Sequence, residues 1–251
     1  MSSVVELQNV SFSYNGRPVL HDINLAVYTG DFMGLIGPNG TGKSTLIRLA
    51  VGLLTPHHGE VRLLGKAITR FRDWHRIGYM AQKAAAFNTS FPATVQEIVE
   101  THLRAQVRSA GHLDSTTIRK KVKHALELTG MEEFRTSLIG ELSGGQQQRV
   151  ILARVLVSEP EIMFLDEPLA GIDYPSQQLF CSLLQHLNRE LRITILMVTH
   201  DPTVIAGYIN RLACLEQGTL FTHDGQEEIR GELARTMDSH HHLVYHQHQL
   251  P

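Results

Sequence analysis

The sequence predicts one large α/β domain with a partly parallel sheet, and three observations carry that expectation. A short apolar run at residues 31–36 leads into a glycine-rich loop, and residues 44–53 then carry Leu46, Ile47, Ala50 and Leu53 at helical spacing. Further apolar runs of strand length recur along the chain with helical patterns between them. The 251 residues are 42% hydrophobic and 19% charged, which suits a chain that buries a real core.

Taken in order, residues 4–10 and 19–27 are rich in Val, Leu and Ile, and Asn15-Gly16 between them is a hairpin signal. The chain therefore opens with an antiparallel β part. Candidate strands follow at 60–64, 77–80, 162–165, 193–198, 211–215 and 220–223, read as separated by helical patterns. Between about 84 and 159 strand signals vanish, and helical spacing at 94–103, 118–129 and 146–158 takes over. The expected organisation is a single domain over 1–235, with a core at about 1–83 and 160–235. A helical subdomain at about 84–159 is inserted into it, and a His-rich tail occupies 236–251.

Charge narrows the function classes. Lys plus Arg number 23 against 25 for Asp plus Glu, a net charge of −2, which argues against nucleic acid as the main partner. No apolar run approaches the ~18 residues of a spanning helix. The start, Met-Ser-Ser-Val-Val-Glu-Leu, lacks the charged and apolar segments of a signal peptide. Cys181 and Cys214 form no CxxC pair, so spacing indicates neither a disulfide framework nor a thiolate metal site. These readings predict a soluble cytosolic protein.

The strongest chemical signal is Gly37-Pro38-Asn39-Gly40-Thr41-Gly42-Lys43-Ser44, followed by Thr45, which matches the phosphate-binding pattern G-x-x-x-x-G-K-[ST]. Glycines let backbone N–H groups turn inward around a polyphosphate, and the following helix adds its positive end. Lys43 is expected to reach the outer phosphates and Ser44 to ligate Mg²⁺. Average composition gives about one chance match in a hundred chains of this size, rarely with the strand-loop-helix context as well. Downstream, Ile162-Met-Phe-Leu-Asp166-Glu167 is an apolar strand ending in two carboxylates. Beside a phosphate loop, that places Asp166 near the metal and leaves Glu167 to act on the attacking water.

Leu142-Ser143-Gly144-Gly145-Gln146 fits a capping box, with Ser143 and Gln146 three apart. Two glycines in a first helical turn are nevertheless a poor choice for a helix needing only a cap, and they suit backbone that must approach an anion. With these motifs in place, the sequence resembles the ATP-binding subunits of ABC transporters over nearly its whole length. Tyr14 stands where that family has the aromatic residue that stacks on adenine. Gln82 corresponds to the glutamine that senses the metal and the attacking water. Thr199-His200-Asp201 matches the switch histidine that contacts the γ-phosphate. Ala170-Gly171-Ile172-Asp173 occupies the loop where the family more often has Ser-Ala-Leu-Asp; Asp173 is kept and Gly171 is a departure.

The resemblance implies a P-loop ATPase core and a homodimer that sandwiches two ATP molecules. Each ATP is held between one copy's phosphate loop and the other copy's Ser143 to Gln146. Glu167, His200, Lys43 and Gln82 take the catalytic roles, and Ser44, Gln82 and Asp166 face Mg²⁺. Integral membrane permease subunits are the implied partners, with an extracytoplasmic metal-binding protein indirectly, at the cytoplasmic face of the membrane. The stretch from Ala85 to Val95, with Phe87-Asn88 and Phe91-Pro92, is similar to the zinc and manganese importer branch, zinc closest. A soluble assembly-type ATPase is the alternative class. The chain has fifteen histidines, five of them in the last twelve residues, and neutral imidazoles there suit a borderline metal such as Zn²⁺. A passive solvated end is the plain alternative.

Overall fold

The computed structural model describes residues 2–82, 92–110 and 114–237. In chain order the elements are β1 (Ser3–Tyr14), β2 (Arg17–Tyr28), β3 (Phe32–Ile36), α1 (Lys43–Ala50), β4 (His58–Leu63), β5 (Lys66–Ala67) and β6 (Ile77–Met80). Then come α2 (Val95–Ala110), α3 (Ser115–Leu128), α4 (Gly144–Leu156), β7 (Ile162–Asp166) and α5 (Tyr174–Glu190). β8 (Thr194–Val198), α6 (Pro202–Ile205), β9 (Arg211–Glu216), β10 (Thr219–Asp224) and α7 (Gln226–Met237) complete the set. They fall into two units, one drawn from residues 1–72 and 185–251 and the other from 73–184.

In the first unit, β2, β1, β4 and β5 form an antiparallel sheet in that order. Its hairpins turn on two-residue loops in which both residues have positive φ, the geometry that matches strand twist. Asn15 and Gly16 take 47° and 77°, and Leu64 and Gly65 take 49° and 76°. The same device joins β9 to β10, where Gln217 and Gly218 take 48° and 79° and Glu216 pairs Thr219. The last two strands are thus a tight hairpin, whereas the sequence predicts a helical pattern between them. Leu64 and Gln217 are weak turn signals; only Asn15 belongs to the residue types that enter the left-handed region readily.

β3 lies between β8 and β9 and is parallel to both. It is buried along its entire length, which explains its continuous apolar run. Arg211 fastens the start of β9: it donates to Asp31 at 3.0 Å, Asp224 at 2.6 Å and the Ala26 carbonyl at 2.7 Å. Asn188, near the end of α5, is buried and its Nδ2 donates to the carbonyls of Gly30 (3.0 Å), Asp31 (3.3 Å) and Ile193 (2.8 Å). One amide therefore ties α5 to the chain entering β3 and the chain entering β8.

In the second unit, β6 and β7 pair in parallel, Ile77 with Ile162 and Met80 with Leu165. α2, α3 and α4 pack on one another through buried stripes at helical spacing: Val95, Val99 and Leu103 on α2, and Ile118, Val122, Ala125 and Leu126 on α3. Asp114 caps α3 by accepting from the Thr116 and Thr117 backbone N–H groups.

Asn188 generates a prediction. A carboxylate in its place would face three carbonyl oxygens with no proton to offer. Asn188→Asp should cost about 2–4 kcal/mol at neutral pH, more than Asn188→Ala. Urea midpoints of the two variants check the order, and an Asp variant as stable as the Ala variant would contradict it.

Candidate nucleotide-binding site

The first unit carries the loop. Gly37 follows β3 with φ of 151°, and a Cβ on it would lie 2.2 Å from the Leu215 carbonyl oxygen of β9. Gly42, at φ 104°, begins α1 as its N-cap, and a Cβ there would meet Leu20 and Val19 at 2.9 Å. Lys43 is 5% exposed. Its Nζ donates to the carbonyls of Gly37 and Pro38, each at 2.8 Å, and the Thr41 hydroxyl donates to Pro38 at 2.9 Å. A buried ammonium is costly unless bonded in this way. The loop is therefore drawn around its own lysine.

The first turn of α1, from Lys43 to Thr45, presents backbone N–H groups at the helix's N-terminal end, where the dipole adds positive potential. Beside the loop is an open hollow of about 560 Å³, lined by Pro38, Asn39, Gly40 and Thr41 with Val19 and Gly218. β8 runs parallel to β3 with Val198 opposite Leu35, and the Thr199 N–H donates to the Leu35 carbonyl at 3.2 Å. Asp201 caps α6 through the Thr203 N–H at 3.0 Å. Exposed His200 is thus held between two anchored neighbours at the same strand ends as the loop. Tyr14 closes β1, 41% exposed, with its ring edge-on to Phe12 at 4.8 Å. It leaves aromatic surface open for stacking.

The second unit carries the acidic strand end. Asp166 is 1% exposed. Glu167 follows with φ of 50°, immediately before Pro168, a conformation most non-glycine residues avoid. Gln82 Nε2 donates to Glu167 Oε2 at 2.7 Å. Gln148, buried on α4, donates from Nε2 to the Pro168 carbonyl. Gln148 carries only a faint signal in the sequence, as a third glutamine on a helix that becomes apolar.

The same helix begins at the Ser-Gly-Gly-Gln motif, and its capping box forms. The Gln146 N–H donates to Ser143 Oγ at 3.3 Å, and the Ser143 N–H donates to Gln146 Oε1 at 2.9 Å. Gly145 has a packing reason to lack a side chain: a Cβ there would lie 2.5 Å from Ser176 Oγ. Ser176 is itself fixed, its N–H and hydroxyl donating to Asp173 at 3.0 and 2.8 Å. Those two bonds hold the Asp173 carboxyl below its ordinary range. Gly144 meets nothing closer than 3.4 Å, so packing alone does not require it. Phe87 to Phe91 and the histidines from His240 onward lie outside the described residues.

The family model described as ABC transporter matches residues 20–170. The zinc uptake system ATP-binding protein ZurA of Listeria innocua is 40% identical over 227 residues, 90% of this chain and 88% of its own. The manganese transport system ATP-binding protein MntB of Halalkalibacterium halodurans is 38% identical over 220 residues, 86% of this chain and 84% of its own. Among solved structures, cbiO1 from Clostridium perfringens, described as part of the ABC transporter complex cbiONQ, superposes with a TM-score of 0.83 at 30% identity over 94% of each chain.

The Gly145 contact is testable. Gly145→Ala should destabilise by about 1–3 kcal/mol through overpacking against Ser176. Adding Ser176→Gly should return most of that loss in chemical denaturation. A single variant with wild-type stability would refute the packing account.

Proposed function

The chain belongs to the ABC transporter family, as an ATPase, and from that membership we propose that it drives a membrane importer for a divalent transition metal, zinc foremost. The observation that carries the catalytic reading is the 2.7 Å bond from Gln82 to Glu167 at a strained strand end. Strained backbone persists only where its surroundings over-determine it, and it clusters at functional sites.

In this reading the N–H groups and Lys43 of the loop from Gly37 to Thr45 cradle the phosphates, and Tyr14 stacks on adenine. Glu167, oriented by Gln82, takes a proton from water as its oxygen attacks the γ-phosphorus. The bond to the β–γ bridging oxygen breaks, leaving ADP and phosphate. His200 and Lys43 stabilise the charge that develops on the phosphoryl oxygens. Ser44, Gln82 and Asp166 are the candidate holders of Mg²⁺. Hydroxyl, amide and carboxylate oxygens are the hard donors that ion takes, and the 1% exposure of Asp166 suits a carboxylate reserved for a cation. The ion supplies charge neutralisation on the phosphates.

Two copies would enclose two ATP molecules, with Ser143, Gly144, Gly145 and Gln146 of each copy completing the other's site. Residues of about 84–159 would form the helical subdomain of the ATPase, leaving about 1–83 and 160–235 as its core. No helix among the described residues is long and apolar enough to cross a membrane. Attachment at the cytoplasmic face through integral permease subunits fits that, with an extracytoplasmic metal-binding protein delivering cargo. The 40% identity to the Listeria zinc protein and the Phe-Asn-x-x-Phe-Pro stretch support zinc, with manganese as the alternative cargo.

Glu167→Gln should lower ATP hydrolysis ~100-fold or more while ATP binding persists, because the phosphate cradle is untouched. The variant should accumulate as an ATP-dependent dimer on gel filtration; near wild-type turnover would sink the assignment. For the cargo, the chain is reconstituted with its permease and binding protein. ATPase activity should rise with the zinc-loaded binding protein and less with the manganese-loaded one. Equal stimulation, or none by either, would remove zinc.

A further inference from the structure

Away from the nucleotide motifs, three potential metal ligands from three elements converge. Cys214 Sγ on β9, a His223 ring nitrogen on β10 and a Glu232 carboxylate oxygen on α7 all lie within 4.8 Å of one another. Backbone geometry sets up the meeting. Cys214 pairs Phe221 across the hairpin and Leu212 pairs His223, so Cys214 and His223 point to the same face in diagonal positions. α7 packs against this hairpin. Among the described side chains of α7, Ile229 and Leu233 are buried and apolar, 0% and 3% exposed, and Glu232 is buried beside them at 3%.

A carboxylate on the apolar face of a helix, aimed at a thiol and an imidazole, is an unusual way to fill a core. We propose that Cys214, His223 and Glu232 form a binding site for a divalent metal ion of the zinc type. The donor set argues for that class. Sulfur, imidazole nitrogen and carboxylate oxygen together suit Zn²⁺, whereas Mg²⁺ and Ca²⁺ take oxygen alone. With bonds of about 2.0–2.3 Å, tetrahedral zinc ligands stand roughly 3.3–3.8 Å apart, so side-chain shifts of about 1 Å close the site. Zn²⁺ would displace the thiol proton to solvent. Thiolate, carboxylate, neutral imidazole and Zn²⁺ then sum to zero charge, as a buried site requires. His223 is half-buried, which leaves a fourth position for water on its side. Cys214 also precedes Leu215, whose carbonyl backs Gly37 of the phosphate loop, so the ion would brace the strand behind that loop.

Cobalt titration of the reduced full-length chain tests the site without reference to ATPase activity. Tetrahedral cobalt bound to thiolate gives a near-ultraviolet charge-transfer band that histidine-only binding, such as by the C-terminal tail, does not. The chain has only two cysteines. One equivalent of cobalt should produce the band, Cys181→Ser should keep it, and Cys214→Ser should abolish it. Stoichiometric zinc should bleach it, following the higher affinity of zinc for such sites. His223→Ala and Glu232→Gln should each weaken cobalt binding about tenfold or more. No band in the wild-type chain, or a band lost in Cys181→Ser, overturns the proposal, and neither outcome depends on the folding of Cys214→Ser.

Discussion

A buried ammonium bonded to two main-chain carbonyls organises the region around the phosphate loop. Lys43 reaches back to Gly37 and Pro38 at 2.8 Å each, and its 5% exposure makes those bonds necessary rather than incidental. Bending the loop so far brings Gly37 against the Leu215 carbonyl, where no side chain fits. That contact in turn requires β9 to run beside β3. With β8 on the other edge of β3, the loop and the Thr199-His200-Asp201 segment emerge from the same ends of adjacent parallel strands. Ligands in open α/β sheets gather at such ends.

The motifs serve local structure as well as the chemistry proposed for them. Ser143 and Gln146 close a capping box, Gly145 gives room to Ser176, and Asp173 holds Ser176 in place. Gln148 then links the same helix to the Pro168 carbonyl, one residue beyond Glu167. These contacts lead from the Ser143 helix to the backbone next to Glu167. Loss of activity in a motif variant is therefore ambiguous unless stability is measured beside it.

Strain is distributed unevenly. Leu64 and Gln217 accept positive φ at exposed or half-buried hairpin turns, where the two-residue geometry demands it. Glu167 accepts it at the end of a fully buried strand and directly before a proline. There the bond from Gln82 and the anchor at Pro168 fix the direction of the carboxylate. Preorganisation of this kind is what the role proposed for Glu167 requires.

Local chemistry made much of the molecule legible in the sequence. The Asn15-Gly16 hairpin, the strand-loop-helix at Gly37 to Ser44 and the acidic end of β7 are each specified by residues a few positions apart. Glycine where φ is positive, period-2 or period-3.6 apolar spacing and a capping pair need no distant partner to be recognised. The β9–β10 hairpin is not legible in the sequence because Gln217-Gly218 is a weak turn signal that the flanking strands decide. Asn188, Gln148 and the Cys214, His223 and Glu232 cluster were invisible for a different reason. Each joins groups on separate elements, and which polar residue finds which buried partner is settled only when strands and helices pack. Burial makes those polar groups consequential, because removing water from them turns an ordinary side chain into one whose partners decide stability or binding.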